Sequence, residues 1–196
     1  DHPLLNDDAY DVLENYVKRR LDCKNLDNVV GAEVTKRKVE LPVFMGSLSK
    51  MKKDDSALRR WKQNYVGEYI ISEKLDGISV LWDTRKNNCK LYTRGNGKTG
   101  QDISHVIPFI RLPNVENFLI RGEFIMKRAG NISIRNVVAG CISANNFPKD
   151  KIFCIEFIPY EVIEPILQPS QQMELLSRHF HSMPKWSRIG YDELNM

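Results

Sequence analysis

YIISEKLDGISVLWD, residues 69–83, places two apolar, β-branched runs on either side of a charged reversal. Tyr69-Ile70-Ile71 and Ile78-Ser79-Val80-Leu81-Trp82 have the composition of half-buried strands. Between them lie Lys74, Asp76 and Gly77: an amine, a carboxylate and a turn residue within four positions. An amine is a nucleophile only when deprotonated, and its reference pKa is about 10.4. Desolvation and neighbouring cations lower that value. A lysine at a strand end beneath apolar walls has the first of these. Asp76, two residues on, could orient the amine or hold a metal ion, and Gly77 permits a sharp reversal. The same residues also suit a plain surface lysine at a hairpin turn.

Similar segments recur outward from this stretch. GEYIIS, ISVLWD, CKLYTR, FLIRGEFIM and KIFCIEFIPYEVI fall between residues 66 and 163, separated by turn chemistry at Lys86-Asn87-Asn88 and Gly95-Asn96-Gly97. Few helical patterns intervene, so an α+β protein with an antiparallel sheet is predicted in preference to repeated βαβ units. Residues 41–44 (LPVF) read as a further short strand, followed by a loop at Gly46-Ser47. Residues 50–62 carry Lys50, Lys52, Lys53, Arg59, Arg60 and Lys62 around Leu58 and Trp61, which reads as a short basic helix. Such a helix is either a solvated face or a track for phosphates. Helical spacing returns between Gln171 and His181 through Met173, Leu175, Leu176 and Phe180.

Residues 1–32 read as a separate helical piece. Asn6 or Asp7 can cap it, and Asp7 and Asp8 suit the positive end of the helix dipole. Val12, Leu13, Tyr16, Val17 and Leu21 recur at helical spacing and are expected to face a core. Asp7, Tyr10, Asp11 and Glu14 make an opposite stripe of carboxylates around one aromatic ring. That stripe is either solvated or a site for a flat, cationic ligand.

Composition bounds the function. The 196 residues are 42% hydrophobic and 28% charged, which fits one ordinary domain with a small attachment. No apolar run approaches the ~20 residues that cross a bilayer. The acidic start, DHPLLNDDAYD, lacks the pattern of a signal peptide. Cys23, Cys89, Cys141 and Cys154 form no C-x-x-C pair, so free thiols in a reducing, cytoplasmic compartment are expected, with no zinc site and no disulfide framework. The net charge of +4 permits a polyanionic partner without requiring one. TRGNGKTGQD, residues 93–102, invites a phosphate-loop reading and fails it, because Tyr92 stands where that motif needs glycine. Arg94 is its informative residue, at a strand end before glycines that let a ligand approach the backbone.

Lys74-Leu75-Asp76-Gly77 is the K-x-D-G motif of covalent nucleotidyltransferases. LYTRGNGKTGQDIS resembles the T-R-G-D-G-x-x-G-E-D run of NAD-dependent DNA ligases. IRGEFIM resembles their V-R-G-E-V-F-M strand, IRNVVAGCI their P-R-N-A-A-A-G-S-L, and LPVFMGSLSK their H-x-x-P-M-L-S-L-D. DHPLLNDDAYDVL is similar to a stretch of the small helical domain particular to that class. The similarities run in family order from residue 1 to about 180. SEKLDGIS and MGSLSK are more similar to the ligases of large DNA viruses and phages than to bacterial ones.

The resemblance implies an adenylation domain of the nucleotidyltransferase (ATP-grasp-like) fold over 33–196, after part of a helical nicotinamide-mononucleotide (NMN) domain over 1–32. It implies that Lys74 attacks the α-phosphate of NAD, expelling NMN and leaving lysyl-AMP, with Asp76 beside it. Asp7, Tyr10 and Asp11 would hold NMN. Ser47 and Leu48 would line the adenosine pocket, Gly77 would also contact the cofactor, Arg94 and Glu123 would hold the ribose hydroxyls, and Arg135 matches the arginine of P-R-N. The expected activity is sealing of nicked double-stranded DNA in replication or repair, by a monomer, with Mg²⁺ neutralising phosphate charge and no residue assigned to a metal. Departures accompany the match. Ser72 stands where the family places glutamate, with Glu73 offset by one; Ser143 replaces an arginine; and the stretch between Glu123 and Arg135 is short. Two phosphate-binding lysines, a tyrosine-histidine pair and the DNA-binding modules are not found, so a piece of a larger enzyme, inactive in sealing by itself, is expected. An ATP- or GTP-using relative and a non-catalytic nucleotide-binding remnant are the competing readings.

Overall fold

The computed structural model describes residues 37–48, 55–86, 88–126, 134–143 and 149–194, together with Ala9, Val12, Leu13 and Tyr16. Asp7, Tyr10, Asp11, Val17, Leu21 and the lysines at 50, 52 and 53 lie outside the described residues. The elements are β1 (Lys38–Glu40), α1 (Asp55–Asn64), β2 (Tyr69–Ser72), β3 (Ile78–Asp83), β4 (Lys90–Thr93) and β5 (Thr99–Gln101), then β6 (Leu119–Met126), α2 (Ile134–Ser143), α3 (Lys149–Ile152), β7 (Ile155–Glu164), α4 (Pro169–His179) and β8 (Trp186–Ile189). Short 3₁₀ turns occupy Ser104–Phe109 and Tyr191–Glu193. Among the described residues, no helix is long and apolar enough to cross a membrane.

The centre is an antiparallel sheet of order β4-β3-β6-β7, with two-stranded sheets β1-β5 and β2-β8 beside it. Successive strand residues point to opposite faces, so alternation divides the central sheet. Val80, Trp82, Ile120, Phe124 and Phe157 are buried on one face with Val138, Cys141 and Ile142 of α2, Leu176 of α4 and Val106. The Trp82 ring meets Phe157 and Phe180 edge-on at 5.8 and 6.0 Å, a favoured aromatic arrangement. On the other face Leu81 and Leu119 are buried against Leu41 and Met45. Ser79, Arg121 and Glu123 continue that second face as polar groups.

Several expectations change. β2 pairs with β8 and not with β3, so residues 73–77 cross between two sheets and form no hairpin turn. Residues 41–44 are not a strand. Pro42 cannot donate to a ladder, and the segment is tied instead by Leu41 N–H to Lys98 O (2.9 Å) and Met45 N–H to Gly97 O (2.8 Å). IRNVVAGCIS is helical despite its β-branched residues. Val138, Cys141 and Ile142, at i, i+3 and i+4, are the buried side that the sheet needs. The strand read as beginning at Lys151 begins at Ile155, after α3. The basic helix survives as α1, over Asp55–Asn64. Val12, Leu13 and Tyr16 are helical as expected but 71%, 50% and 56% exposed, so they face no core among the described residues.

The far ends of β3 and β7 are pinned by charge. Arg85 donates to both Asp83 carboxylate oxygens (2.9 and 2.7 Å) and to Glu164 (2.7 Å). The Arg85 hydrogen bond is the chief cause that holds the buried Asp83 carboxyl below its ordinary pKa, against the upward pull of burial. A carboxyl lowered in the folded state stabilises above its unfolded value, about 3.9, and that contribution is lost as pH falls through the folded value. Asp83→Asn should therefore cost about 1–3 kcal/mol at pH 7 and blunt the acid loss of stability. Urea unfolding at pH 7 and pH 3 measures both, and a variant as stable as wild type at pH 7 would remove the pair from the account.

Candidate active site

The crossover from β2 to β3 is held by two contacts. Glu73 N–H donates to Lys185 O (3.0 Å), and the Glu73 carboxylate accepts from Lys185 N–H (3.0 Å). At the other end Gly77 lies directly on β6. A Cβ there would stand 2.2 Å from the Phe124 carbonyl oxygen and 3.0 Å from Glu123 Cγ, so no side chain fits. The Gly77 backbone N–H can then reach the Glu123 carboxylate. Lys74 is strung between these anchors, with its side chain exposed.

Lys74 borders a cleft of about 1020 Å³. That is at the top of the usual range for small-molecule sites, about 300–1,000 Å³, and suits a ligand of dinucleotide size. Ser47, Leu48, Arg94, Glu123 and Arg135, singled out from separate motifs, all line it. Arg94 follows β4, where Gly95 (φ 53°) and Gly97 (φ 90°) reverse the chain and the Asn96 side chain accepts from Lys98 and Thr99 N–H (3.1 and 2.8 Å). Its Nη1 donates to Ser47 Oγ at 3.3 Å. Leu48 is 70% exposed, on the rim. Arg135 comes from the first turn of α2.

Two residues sit differently from what the sequence suggested. Asp76 is exposed and is not among the cleft-lining residues. Lys74 is exposed too, so the open cleft does not provide the desolvation that its apolar flanks suggested. At the Ser72 departure, Glu73 also lines the cleft, with its carboxylate accepting from Lys185 N–H at 3.0 Å.

The cleft is electropositive. Glu73 is engaged by Lys185, and Glu161 pairs with Arg121 at 2.8 Å. Lys74, Arg94 and Arg135 remain against Glu123. Burial lowers the Arg94 pKa, with the Arg135 charge adding to the effect. Burial raises that of Glu123, while the Ser79 hydroxyl and the Lys74 and Arg135 charges pull it back. Such a surplus of positive charge beside one partly buried acceptor suits a phosphate joined to a hydroxylated sugar. Among the described residues no group of three or more His, Cys, Asp or Glu could cage a metal.

Sequence reading missed Ser79, Arg121 and Tyr160 in the wall. Ser79 stands opposite Glu123 in register, and the period-2 alternation of ISVLWD, with Val80 and Trp82 inward, held that signal.

No protein-family model matches the chain. The DNA ligase of Acanthamoeba polyphaga mimivirus is 37% identical over 188 residues, covering 88% of this chain and 30% of the relative. A protein of Invertebrate iridescent virus 6 named after DNA ligase is 42% identical over 130 residues, 64% of this chain and 19% of the relative. The chain is similar to viral DNA ligases. It spans less than a third of the length of these two curated relatives. A solved structure titled Pmar-Lig_Pre gives a TM-score of 0.47 at 18% identity over 79% of this chain and 37% of that one, a likeness too slight to bear on chemistry.

Gly77→Ala should cost about 1–3 kcal/mol by overpacking and, by moving the crossover that carries Lys74, weaken anion binding in the cleft. Chemical denaturation and calorimetry measure the two. A variant with wild-type stability would mean that the crossover can lift from β6 freely.

Proposed function

We propose that this cleft is the adenylation site of an NAD-dependent DNA ligase, built on the nucleotidyltransferase fold over 33–196. The observation that carries the reading is the convergence of Lys74, Arg94, Glu123 and Arg135, from four separate stretches, on one cationic cleft. Similarity to viral DNA ligases along 88% of the chain supports it.

In this reading Lys74 Nζ, once deprotonated, attacks the α-phosphorus of NAD. A P–N bond forms, the pyrophosphate P–O bond breaks, and NMN leaves with the electron pair. Glu123 and Arg94 orient the ribose, and Arg135 faces the phosphates. The AMP then passes to a DNA 5′-phosphate, returning the lysine, and the 3′-hydroxyl at the nick displaces AMP. Phosphoryl transfer of this kind needs mostly positioning and stabilisation of oxygen charge. Asp7, Tyr10 and Asp11, which match in sequence the residues that hold NMN in the NAD-using class, favour NAD over ATP, because an ATP-using enzyme has no NMN to hold.

Mass spectrometry after incubation with NAD or ATP tests the assignment. In the intact gene product NAD should place AMP on Lys74, and Lys74→Met should abolish the adduct while leaving most NAD binding. Adduct from ATP alone, or adduct surviving the substitution, would contradict the reading. Asp11→Ala should suppress adenylation by NAD yet spare sealing of nicks that already carry AMP. Two further phosphate-binding lysines of the resembling family have no match in these 196 residues, and each such contact is worth on the order of 10²–10³ in rate. The chain by itself should bind adenosine nucleotides and adenylate Lys74 negligibly. Stoichiometric AMP after overnight incubation would show that the phosphate cations lie within it.

A further inference from the structure

Ser79 and Tyr160 have no part in the reading above, yet both bear on the cleft carboxylate. Ser79 Oγ lies 3.1 Å from Glu123 Oε2 and 2.9 Å from the Tyr160 hydroxyl. Proton counting sets the direction of both bonds. An ionised carboxylate only accepts, and a serine hydroxyl has one proton. Ser79 therefore donates to Glu123, and Tyr160 donates to Ser79. The Gly77 backbone N–H lies near enough to the same carboxylate to favour its ionised form. Three strands build this chain of donors: Ser79 on β3 opposite Glu123 on β6, with Tyr160 on β7. It fixes one side of the carboxylate and leaves its other lone pairs for a donor in the cleft. A cleft donor of this kind is a sugar hydroxyl.

We propose that Ser79 and Tyr160 are positioning residues, which hold Glu123 as an oriented acceptor for ribose and so set a preference for ribonucleotides. The proposal rests on the nucleotide-binding reading of the cleft. A site built to bond a hydroxyl rejects an analogue lacking it, because its own polar groups are left unpaired. Without Ser79 the partly buried carboxyl would more readily keep its proton and offer a donor where an acceptor is needed. The groups facing Glu123 are Lys74 from the crossover, Arg94 after β4, Arg135 on α2 and Tyr160 on β7, with Arg121 and Glu161 next to Tyr160. None of these charges changes in the test variants; Tyr160→Phe removes only a neutral hydroxyl.

The test compares binding of AMP and 2′,3′-dideoxy-AMP to wild type, Ser79→Ala, Ser79→Thr and Tyr160→Phe. Ser79→Ala should weaken AMP by about tenfold and dideoxy-AMP far less. Ser79→Thr, which keeps the hydroxyl, should restore most of the difference. Tyr160→Phe should act in the same direction more weakly, and the double variant should be no worse than Ser79→Ala. In the nucleotide-free protein, ¹³C NMR of the Glu123 carboxyl should show its titration midpoint move upward in Ser79→Ala. Equal losses for both nucleotides, or an unmoved midpoint, would overturn the proposal. Wild type that binds neither nucleotide would overturn the nucleotide reading and the ribose claim with it. A midpoint that still moves would tell that failure from a failed relay.

Discussion

The close approach of Gly77 to the β6 backbone is the contact on which the site depends. The chain has to pass from the β2-β8 sheet to the central sheet within five residues, and only a residue without a Cβ can lie on the Phe124 carbonyl. That approach sets the Gly77 N–H at Glu123 and fixes the start of β3. The register of β3 on β6 then brings Ser79 opposite Glu123 and Leu81 opposite Arg121. Lys74 is carried along, three residues before the glycine, with Glu73 clamped by Lys185 behind it.

Alternation in the central strands does the second half of the construction. Val80, Trp82, Ile120 and Phe124 commit one face to the core beneath α2 and α4. The opposite face cannot be polar throughout, and Leu41 and Met45 cover it where Leu81 and Leu119 lie. Where that cover ends the polar part begins, and there the cleft opens. Arg121 spans the boundary, bonded to the Phe44 carbonyl (3.1 Å) on one side and to Glu161 on the other.

Much of this was legible in the sequence, and what was not has physical causes. The strands of β3, β4, β6 and β7 follow from β-branched runs and turn residues, and the cleft residues Lys74, Arg94, Glu123 and Arg135 from their motifs. The pairing of β2 with β8 was hidden because β8 is short and its partner lies over 100 residues away. α2 was hidden because its valines favour strands locally, while the packing against β6 that makes it helical is tertiary. The exposure of Lys74 and the sidelining of Asp76 depend on the path of the crossover, which spacing along the chain cannot express. Ser79 and Tyr160 become partners only across β6.

The chemistry then divides by element. The crossover supplies an amine, the β4-β5 turn and α2 supply cations, and the sheet face supplies a fixed acceptor. Each group is weak by itself: an exposed amine, two arginines at the edge, one partly buried carboxylate. Their usefulness comes from sharing a cleft in which an anion and a sugar can be held together. A structure of the protein with AMP tests this most directly. The account predicts the ribose hydroxyls at Glu123 and the phosphate between Lys74 and the arginines Arg94 and Arg135. AMP bound outside the cleft, or inside it with the phosphate turned away from Lys74, would contradict it.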